Sequence, residues 1–233
     1  INTEGIFTHY AKADYYDKSD ARIQYERFSG FISEMQKRGV SFSLKHIDNS
    51  AGAMEIHSET FDMMRLGIVI YGLYPSEEID KAVKLKPAMT LKSKVIHVKE
   101  LPAGRGIGYG WTYVTEKPTI IVTVSVGYAD GYPRALSNKG RVLIHGQYAP
   151  IVGRVCIDQI MVDVTEITEQ SVKVGDEIVL FGRQGDNFIS VEEVAEPANS
   201  FNYEEVCNIS RRVPRVYYKD GEEVAVHNYL ISN

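Results

Sequence analysis

The chain has 233 residues, of which 44% are hydrophobic and 24% charged, and this ordinary globular composition excludes disordered, collagen-like and coiled-coil proteins. Its formal net charge is -5 and no segment concentrates Lys and Arg, so nucleic acid is not an expected partner. The apolar runs are too short to span a bilayer, and the presence of only two cysteines, Cys156 and Cys207, predicts a reducing, cytoplasmic compartment.

The first third of the chain alternates strand-like and helix-like segments. Residues 6–9 and 40–46 predict strands, and between them apolar residues recur at the i, i+3, i+4, i+7 spacing of a helix face: Phe28, Phe31, Ile32 and Met35. Ser19 or Asp20 would cap this helix at its start, and Gly39 stands where a helix C′ glycine belongs.

A second, short helix is predicted over residues 58–63 and a further strand over residues 66–71. The near-continuous apolar character of that strand is typical of a parallel strand covered on both faces. The order strand, helix, strand, helix, strand therefore predicts parallel βα units in the first part of the chain.

From about residue 85 the pattern changes to short strands separated by turns that contain Gly and Pro. The predicted strands are residues 93–101, 119–126, 141–144, 149–156, 160–164 and 177–181. A helix over residues 191–198 interrupts them, and residues 213–218 and 223–226 predict a closing hairpin around Asp220-Gly221. The predicted fold class is therefore α/β followed by all-β, in two domains with a junction within residues 74–87.

Polar residues stand at the ends of the predicted strands of the first part. His9 ends the first strand, His46 ends the second, and Arg65 stands at the start of the third. In barrel-type α/β folds the carboxyl ends of the strands carry the active site, so the two histidines are candidate site residues. On the residues alone, a structural role for each histidine stays open.

Two short segments supply hydrogen-bond donors suited to a small phosphate. Asn-Ser-Ala-Gly at residues 49–52 offers side-chain and backbone donors close together, and Gly67-Ile68 offers backbone N–H groups without steric cover. A plain turn is the alternative interpretation of the first segment.

Residues 104–113 carry glycines at alternate positions, a pattern that does not match the G-x-G-x-x-G dinucleotide fingerprint. Tyr109 lies between two of these glycines, which leaves its phenol reachable by a ligand, as a general base requires. A Gly-rich hairpin with an exposed aromatic residue is the alternative. The sequence has no convincing zinc spacing, no P-loop and no G-x-S-x-G elbow.

Seven segments in one order carry a family resemblance across nearly the whole chain: GIFTHYAKAD, HIDNSAGA, MMRLGIVIYGLYP, GIGYGWTY, VSVGYADGYPR, APIVGRVCIDQIMVDV and ISRRVPRVYY. Together they resemble the alanine racemases, pyridoxal 5′-phosphate (PLP) enzymes with a barrel domain and a C-terminal β domain. The resemblance implies that residues 1–80 are the C-terminal part of a PLP-binding (β/α) barrel and residues 86–233 the β domain. It implies an isomerase that interconverts L- and D-alanine on PLP.

The resemblance also implies residue roles. Tyr109 matches the catalytic tyrosine, one of two bases on opposite faces of the substrate α-carbon. His9 matches the histidine that stacks on the cofactor ring, and Arg65, supported by His46, matches the arginine facing the pyridine nitrogen. The phosphate-side residues are Asn49, Ser50, Gly67 and Ile68. The substrate-side residues are Tyr128 and Ile157, and the residues lining the entrance are Asp14, Arg134, Arg154 and Ile209.

The sequence departs from the family pattern at three places. Ile157 stands where many members have Met, and Arg211 stands where many have a tyrosine touching phosphate and substrate. The PLP-anchoring lysine motif has no match, because Lys12 follows Ala11 without the glycine-bearing context. The chain, which begins at Ile1, is therefore expected to be the C-terminal portion of a racemase, inactive alone, with the lysine base outside it. By analogy, the active sites would be shared between subunits of a head-to-tail homodimer.

Three alternatives stay open. A PLP-dependent basic amino-acid decarboxylase is hinted at by Cys156 and Asp158, since such enzymes use a cysteine and an aspartate at a shared site. A non-catalytic PLP-binding module would explain the missing lysine motif. A serine-preferring racemase, sometimes carried on a membrane-anchored protein, would explain Arg211 and Ile157.

Overall fold

The computed structural model describes residues 3–56, 61–167 and 170–231. The chain divides in sequence into two compact units, Ile1–Ala88 and Met89–Asn233. Every helix in the described ranges is too short or too polar to cross a membrane.

The first unit is built on a short parallel strand pair. Strand β1 (Gly5–Phe7) runs parallel to β2 (Leu44–His46), with Phe7 opposite His46, and helix α1 (Ser19–Lys37) connects the two strands. This arrangement confirms the predicted βα unit. Because parallel strands end at the same edge, the residues that follow β1 and β2 are brought side by side.

Helix α1 forms because its apolar residues lie on one face. Ala21, Phe28 and Ile32 are buried in a core with Tyr10 and Ile47. Phe31, although it falls in the predicted spacing, is 51% exposed and lies outside this core. The helix was therefore predicted correctly, whereas its buried stripe is narrower than the pattern suggested.

The ends of α1 differ in how well they were predicted. Gly39 has φ +77, which confirms it as the glycine that ends the helix. The prediction that Ser19 or Asp20 caps the start is wrong, because Lys18 occupies the N-cap position and its side chain makes no cap hydrogen bond. Instead, the Lys18 Nζ donates to the carbonyl of Ala13, 2.8 Å away, which fixes the chain where it enters the helix.

The segment after β2 contains helix α2 (Ser50–Glu55), whose N-cap Asn49 accepts a hydrogen bond from the Gly52 N–H at 2.9 Å. The strand predicted over residues 66–71 is wrong, because this segment contains the 3-10 helix Ile68–Tyr71. Short apolar runs do not distinguish strand from helix, and here Gly67 and Gly72 bound a single turn. Of the predicted helix at 58–63, residues 58–60 lie outside the described residues and residues 61–63 are not helical.

The second unit centres on a seven-stranded antiparallel sheet with the order β8-β7-β10-β3-β6-β9, in which β11 also pairs with β10. Two further strand pairs, β4 with β5 and β12 with β13, lie outside it. The elements are β3 (Leu91–Leu101), β4 (Gly106–Ile107), β5 (Tyr113–Val114), β6 (Thr119–Val124), β7 (Arg141–Ile144), β8 (Gln147–Pro150), β9 (Ile160–Asp163), β10 (Glu177–Gln184), β11 (Asn187–Ile189), α3 (Val191–Ala195), α4 (Asn202–Asn208), β12 (Arg215–Lys219) and β13 (Glu222–His227).

The core of this unit comes from strands with long apolar runs. Strand β10 buries four consecutive apolar residues, from Ile178 to Phe181, which is the pattern of a strand covered on both faces. Strand β7 has the predicted bounds, and the predicted helix at 191–198 is α3 continued by the 3-10 helix Glu196–Ala198. Helix α4 and the β4–β5 pair were not predicted.

One predicted hairpin is confirmed, whereas one predicted strand ends early. The hairpin between β12 and β13 is confirmed, because Asp220 and Gly221 have φ +54 and +86, as a type I′ turn requires. The strand predicted over residues 149–156 is wrong in its second half, since β8 ends at Pro150. Gly153 has φ +78 and turns the chain out of the sheet, so the following residues form a loop.

Gly131 provides a test of how tightly its loop packs against the end of α4. It has φ +100, and a Cβ there would collide with the carbonyl of Asn208. We expect Gly131→Ala to lower the Tm of the whole protein by several degrees more than Gly175→Ala, which has φ +97 but meets nothing within 4 Å. The control carries only the left-handed backbone cost of about 1–2 kcal/mol. Equal decreases in Tm would contradict the described contact.

Candidate active site

In the first unit, the Arg65 guanidinium lies at the carboxyl edge of β1 and β2. Its Nη2 donates to the carbonyls of Thr8 at 2.9 Å and Ile47 at 3.2 Å. The same nitrogen lies 3.0 Å from His9 Nδ1, and Nη1 contacts His46 Nδ1. Both predicted histidines therefore contact one guanidinium group.

The His46 imidazole is suited to accept a hydrogen bond from this cation. Burial and the neighbouring charge of Arg65 lower its pKa from the usual 6.5, which favours the neutral ring. In the neutral ring Nδ1 accepts from Arg65, which places the hydrogen on Nε2. The ring also stacks on Phe7, with centroids 5.2 Å apart, and the Arg65 Cζ lies 5.3 Å from the same Phe7 ring.

His9 is held between two donors. Its Nδ1 faces Arg65 and its Nε2 lies 3.3 Å from Asn49 Nδ2. The Asn49 amide is oriented by the cap of α2, because its Oδ1 accepts from the Gly52 N–H and its NH₂ group therefore points toward His9. A neutral imidazole accepts at one nitrogen only, so the ring satisfies one of these two donors at a time.

The predicted phosphate-side residues lie together. The Gly67 N–H donates to Ser50 Oγ at 2.9 Å, and Ser50 is only 3% exposed. Because the hydroxyl oxygen accepts this bond, its own hydrogen is left to donate to another acceptor. Ile68 follows directly, with a buried side chain. Asp14, an expected entrance residue, is half-buried, and its carbonyl accepts a hydrogen bond from Ser76 Oγ.

In the second unit, Tyr109 lies on the loop between β4 and β5, in the 3-10 helix Tyr109–Trp111, and is 74% exposed. The alternate glycines of this loop are needed for different steric reasons. Gly108 has φ +67, and a Cβ there would come within 2.8 Å of Met161 Cε. A Cβ on Gly106 would collide with the Trp111 indole, which lies across it. Close packing of the loop thus requires glycines.

Arg154 lies beside the Tyr109 loop. Its Nε and Nη2 are 3.7 and 3.8 Å from the position of a Cβ on Gly110, the residue after Tyr109. A Cβ on Gly153 would come within 2.9 Å of the Ile107 carbonyl oxygen, so the two loops pack backbone against backbone. An exposed cation is therefore placed next to the loop that carries the phenol.

Tyr128 and Ile157 are also brought together. The N–H groups of Tyr128 and Ala129 donate to the carbonyls of Cys156 at 3.0 Å and Ile157 at 2.9 Å. A Cβ on Gly127 would collide with those same carbonyls, which explains the glycine before Tyr128.

Asp130 ties this turn to the segment after α4. Its Oδ2 accepts from the Gly127 N–H at 2.9 Å, and its Oδ1 accepts from Arg212 Nε at 2.6 Å. Its carbonyl accepts from the Ser210 N–H at 3.0 Å. Ile209, expected at the entrance, has a buried side chain in this unit. Sequence reasoning missed Asp130 as a site-forming residue, although it stands in the quoted segment VSVGYADGYPR.

Arg134 is joined to the Arg154 loop through its neighbour Ser137. The Ser137 Oγ donates to the Arg134 carbonyl at 2.6 Å and accepts from the Val155 N–H at 3.0 Å. The Arg134 side chain is exposed. Asn138, the residue after Ser137, bonds to both the Tyr109 loop and the Arg154 loop. Sequence reasoning also missed Asn138, because nothing in its Leu-Ser-Asn-Lys-Gly context distinguishes it from a turn.

The Cys156 thiol is half-buried. Burial, with a smaller contribution from the negative charge of Asp158, raises the pKa of Cys156 above its usual value. Its Sγ lies 3.4 Å from the Arg154 carbonyl. Among the residues that the structure describes, no three His, Cys, Asp or Glu side chains form a group suited to a metal ion.

Apart from Asp14 and Ile209, the predicted site residues thus form two sets, one in each unit. The first set is His9, His46, Asn49, Ser50, Arg65, Gly67 and Ile68. The second set is Tyr109, Tyr128, Arg134, Arg154 and Ile157.

Comparison with known proteins matches both units in tandem. The family profile "Alanine racemase, N-terminal domain" matches residues 1–75, and "Alanine racemase, C-terminal domain" matches residues 88–217. Alanine racemase 2 of Caldanaerobacter subterraneus subsp. tengcongensis is 47% identical over 230 residues, covering 99% of this chain and 59% of that relative. The alanine racemase of Desulforamulus reducens is 50% identical over 218 residues, covering 93% of this chain and 58% of that relative.

Solved structures of alanine racemases are also similar to this chain. The alanine racemase of Bacillus anthracis with bound L-Ala-P superposes with a TM-score of 0.91 at 42% identity, covering 97% of this chain and 58% of that one. The Clostridium difficile 630 alanine racemase in complex with cycloserine has a TM-score of 0.92 at 41% identity, covering 99% of this chain and 60% of that one.

These matches place the chain among proteins in which a TIM-type barrel is followed by a C-terminal β domain, which confirms the predicted fold class. The chain belongs to the alanine racemase family. It spans about 59% of the length of the curated relative from Caldanaerobacter.

The His46–Arg65 contact predicts a pH dependence of stability. The pKa of His46 is lower in the folded chain than the usual 6.5, so the unfolded chain binds this proton more readily. Its contribution to stability is therefore fully present above about pH 6.5 and declines as the pH falls through 6.5 toward the lowered folded pKa.

We expect His46→Asn, which keeps an acceptor near Nδ1 but does not titrate, to flatten this acidic decline. The measurement is the Tm of both proteins between pH 8 and about pH 5, with the His46 ring resonances followed by NMR. Parallel Tm curves, or a His46 pKa at or above 6.5, would show that burial and the charge of Arg65 do not hold the ring neutral.

Proposed function

We propose that the whole protein is a PLP-dependent isomerase that interconverts L- and D-alanine, with Tyr109 as one of two bases. The observation that carries the proposal is the contact of Arg65 with both His9 and His46 at the strand ends, in a chain of the alanine racemase family. Curated relatives named alanine racemase align with 93% or more of this chain at up to 50% identity, which supports the same activity.

The donor set of the first unit fits PLP. A guanidinium, an imidazole and a buried hydroxyl with a hydrogen left to donate suit an aromatic ring that carries a phosphate. The residues that would hold it are His9, Asn49, Ser50, Arg65, Gly67 and Ile68, with His46 supporting Arg65.

When bound, PLP supplies an electron sink for the electron pair left as the substrate Cα–H bond breaks. Arg65 would face the pyridine nitrogen, and a guanidinium remains protonated at all physiological pH values. It cannot pass a proton to that nitrogen as a carboxylic acid does. At that place Arg65 would leave the ring nitrogen without a proton, which would weaken the electron sink and disfavour side reactions such as transamination.

Tyr109 would take or return the proton on one face of the substrate α-carbon. A free phenol has a pKa of about 10, so work near neutral pH requires positive charge nearby. His9 with Arg65 would provide that charge in a head-to-tail homodimer, where Tyr109 of one subunit serves the barrel of the other. The second base, a lysine, would act on the opposite face.

The remaining residues would receive the substrate. Tyr128 and the backbone at Ile157 would contact it, and Asp14, Arg134, Arg154 and Ile209 would line the entrance. Residues 1–80 would belong to the barrel and residues 86–233 to the β domain. A cytoplasmic location is also proposed, because both cysteines are free.

The central test is Tyr109→Phe in the whole protein. We expect racemisation to fall by about 100- to 10,000-fold while PLP absorbance persists, because a general base contributes in this range. Tyr218→Phe, which alters a similarly exposed tyrosine of the same unit, is the matched control and should retain activity. A mild rate loss in Tyr109→Phe would remove this residue from the mechanism.

Hydrogen exchange in D₂O sharpens this test. If two bases act on opposite faces, Tyr109→Phe should still exchange the α-hydrogen of one alanine enantiomer without inverting it, because the other base is intact. Exchange lost equally from both enantiomers would contradict the two-base proposal.

Substrate assays separate the alternatives. We expect D/L interconversion of alanine to exceed that of serine in kcat/KM, and no carbon dioxide to be released from lysine or ornithine. The half-buried Cys156 thiol, with its raised pKa, argues against a decarboxylase that needs a reactive cysteine. Carbon dioxide release, a serine preference, or PLP binding without turnover would each favour the corresponding alternative.

A further inference from the structure

We propose that Asn138 is a positioning residue for Tyr109, which it holds at a fixed distance from Arg154. The proposal rests on the function proposed for Tyr109 above. Asn138 contacts neither the phenol nor the Arg154 guanidinium in the described hydrogen bonds, so it acts through the backbone of the loops that carry them.

One amide side chain joins the two loops. The Asn138 Nδ2 donates to Thr112 Oγ1 at 3.0 Å and to the Thr112 carbonyl at 3.3 Å. The Asn138 Oδ1 accepts from the Gly153 N–H at 2.6 Å. Thr112 ends the 3-10 helix of Tyr109, and Gly153 precedes Arg154. The side chain is therefore bonded within three residues of Tyr109 and within one of Arg154.

The backbone that carries the Asn138 amide is also held by hydrogen bonds. The Asn138 N–H donates to the Gly153 carbonyl at 3.2 Å, so backbone and side chain both bond to the same residue. Two residues earlier, Leu136 is fully buried, and its carbonyl accepts from the Gly140 N–H at 2.9 Å. Asn138 itself has φ +57, a conformation that asparagine tolerates better than most residues.

The Tyr109 loop needs such an external bond. Gly108 and Gly110 flank the tyrosine with φ +67 and +73, and glycines place few restrictions on the backbone. The open end of the β4–β5 hairpin is closed by Thr115, whose Oγ1 accepts a hydrogen bond from the Arg105 N–H at 2.9 Å. Near the tip, Asn138 fixes Thr112. A displacement of about 1 Å at a reacting group can cost about 100-fold in rate, so this bond matters for catalysis.

Only an amide satisfies both partners at this place. An aspartate would still accept from Gly153 N–H but would oppose the Thr112 carbonyl with a second acceptor. A glycine would keep the left-handed backbone and lose both side-chain bonds. Thr112→Val would remove only the hydroxyl acceptor. These three changes weaken the connection to different extents without touching the phenol.

The experiment measures kcat and KM in both directions in the whole protein for Asn138→Gly, Asn138→Asp, Thr112→Val, Tyr109→Phe and the double variant Tyr109→Phe/Asn138→Gly. We expect Asn138→Gly to lower kcat by about 10- to 100-fold with KM changed less than about threefold. It should also show the same one-enantiomer exchange in D₂O as Tyr109→Phe. The double variant should lose no more than Tyr109→Phe alone, because both changes act on one group.

Asn199→Gly is the matched control. Asn199 also has a left-handed backbone, with φ +53, and ends the 3-10 helix Glu196–Ala198. It should leave kcat unchanged, which separates the lost side-chain bonds from a general effect of glycine. If Asn138→Gly does not fold, Asn138→Asp and Thr112→Val test the positioning role instead. We expect Asn138→Asp to lower kcat more than Thr112→Val does.

The outcomes distinguish the two proposals. If Tyr109→Phe is severe while the Asn138 variants lose less than threefold, or if the double variant loses the product of both effects, the positioning role is wrong and the function of Tyr109 stands. If Tyr109→Phe itself is mild, the proposed function fails and the positioning role fails with it.

Discussion

A single guanidinium organises the strand ends of the first unit. The Arg65 group is a rigid planar fork of donors, and it bonds to the Thr8 and Ile47 carbonyls while contacting His9 and His46. These groups lie at the ends of two different strands, so they meet only because those strands are parallel and in register. The positions of the two histidines and the charge state of His46 both follow from this arrangement, and lysine, with a single ammonium, cannot reproduce it.

The second unit positions its polar groups differently. Its candidate residues lie on loops outside the sheet, and short hydrogen bonds from loop to loop fix them. Asp130 bonds the Tyr128 turn to the segment after α4, and Asn138 bonds the Tyr109 loop to the Arg154 loop. The sheet supplies a rigid scaffold, while these side chains determine where the loops lie on it.

Sequence reasoning succeeded where one local signal decides the structure. The periodicity of α1, the buried run of β10 and the Asp220-Gly221 turn are such signals. It failed over residues 66–71, because a short apolar run fits a strand and a helical turn equally well. Most of the candidate site residues were proposed through family resemblance. Asn138 and Asp130 were missed, because their importance depends on partners 15 to 82 positions away, which no local pattern encodes.

The contrast between the two thiols has a practical consequence. Partial burial raises the pKa of the Cys156 thiol, whereas Cys207 is exposed on α4. Alkylating dyes react with thiolates, so a maleimide should label Cys207 well before Cys156. Within this chain, Cys207 is thus the preferred attachment point for a fluorophore. Slow labelling at Cys156 would in turn report transient opening of the loop beside Arg154.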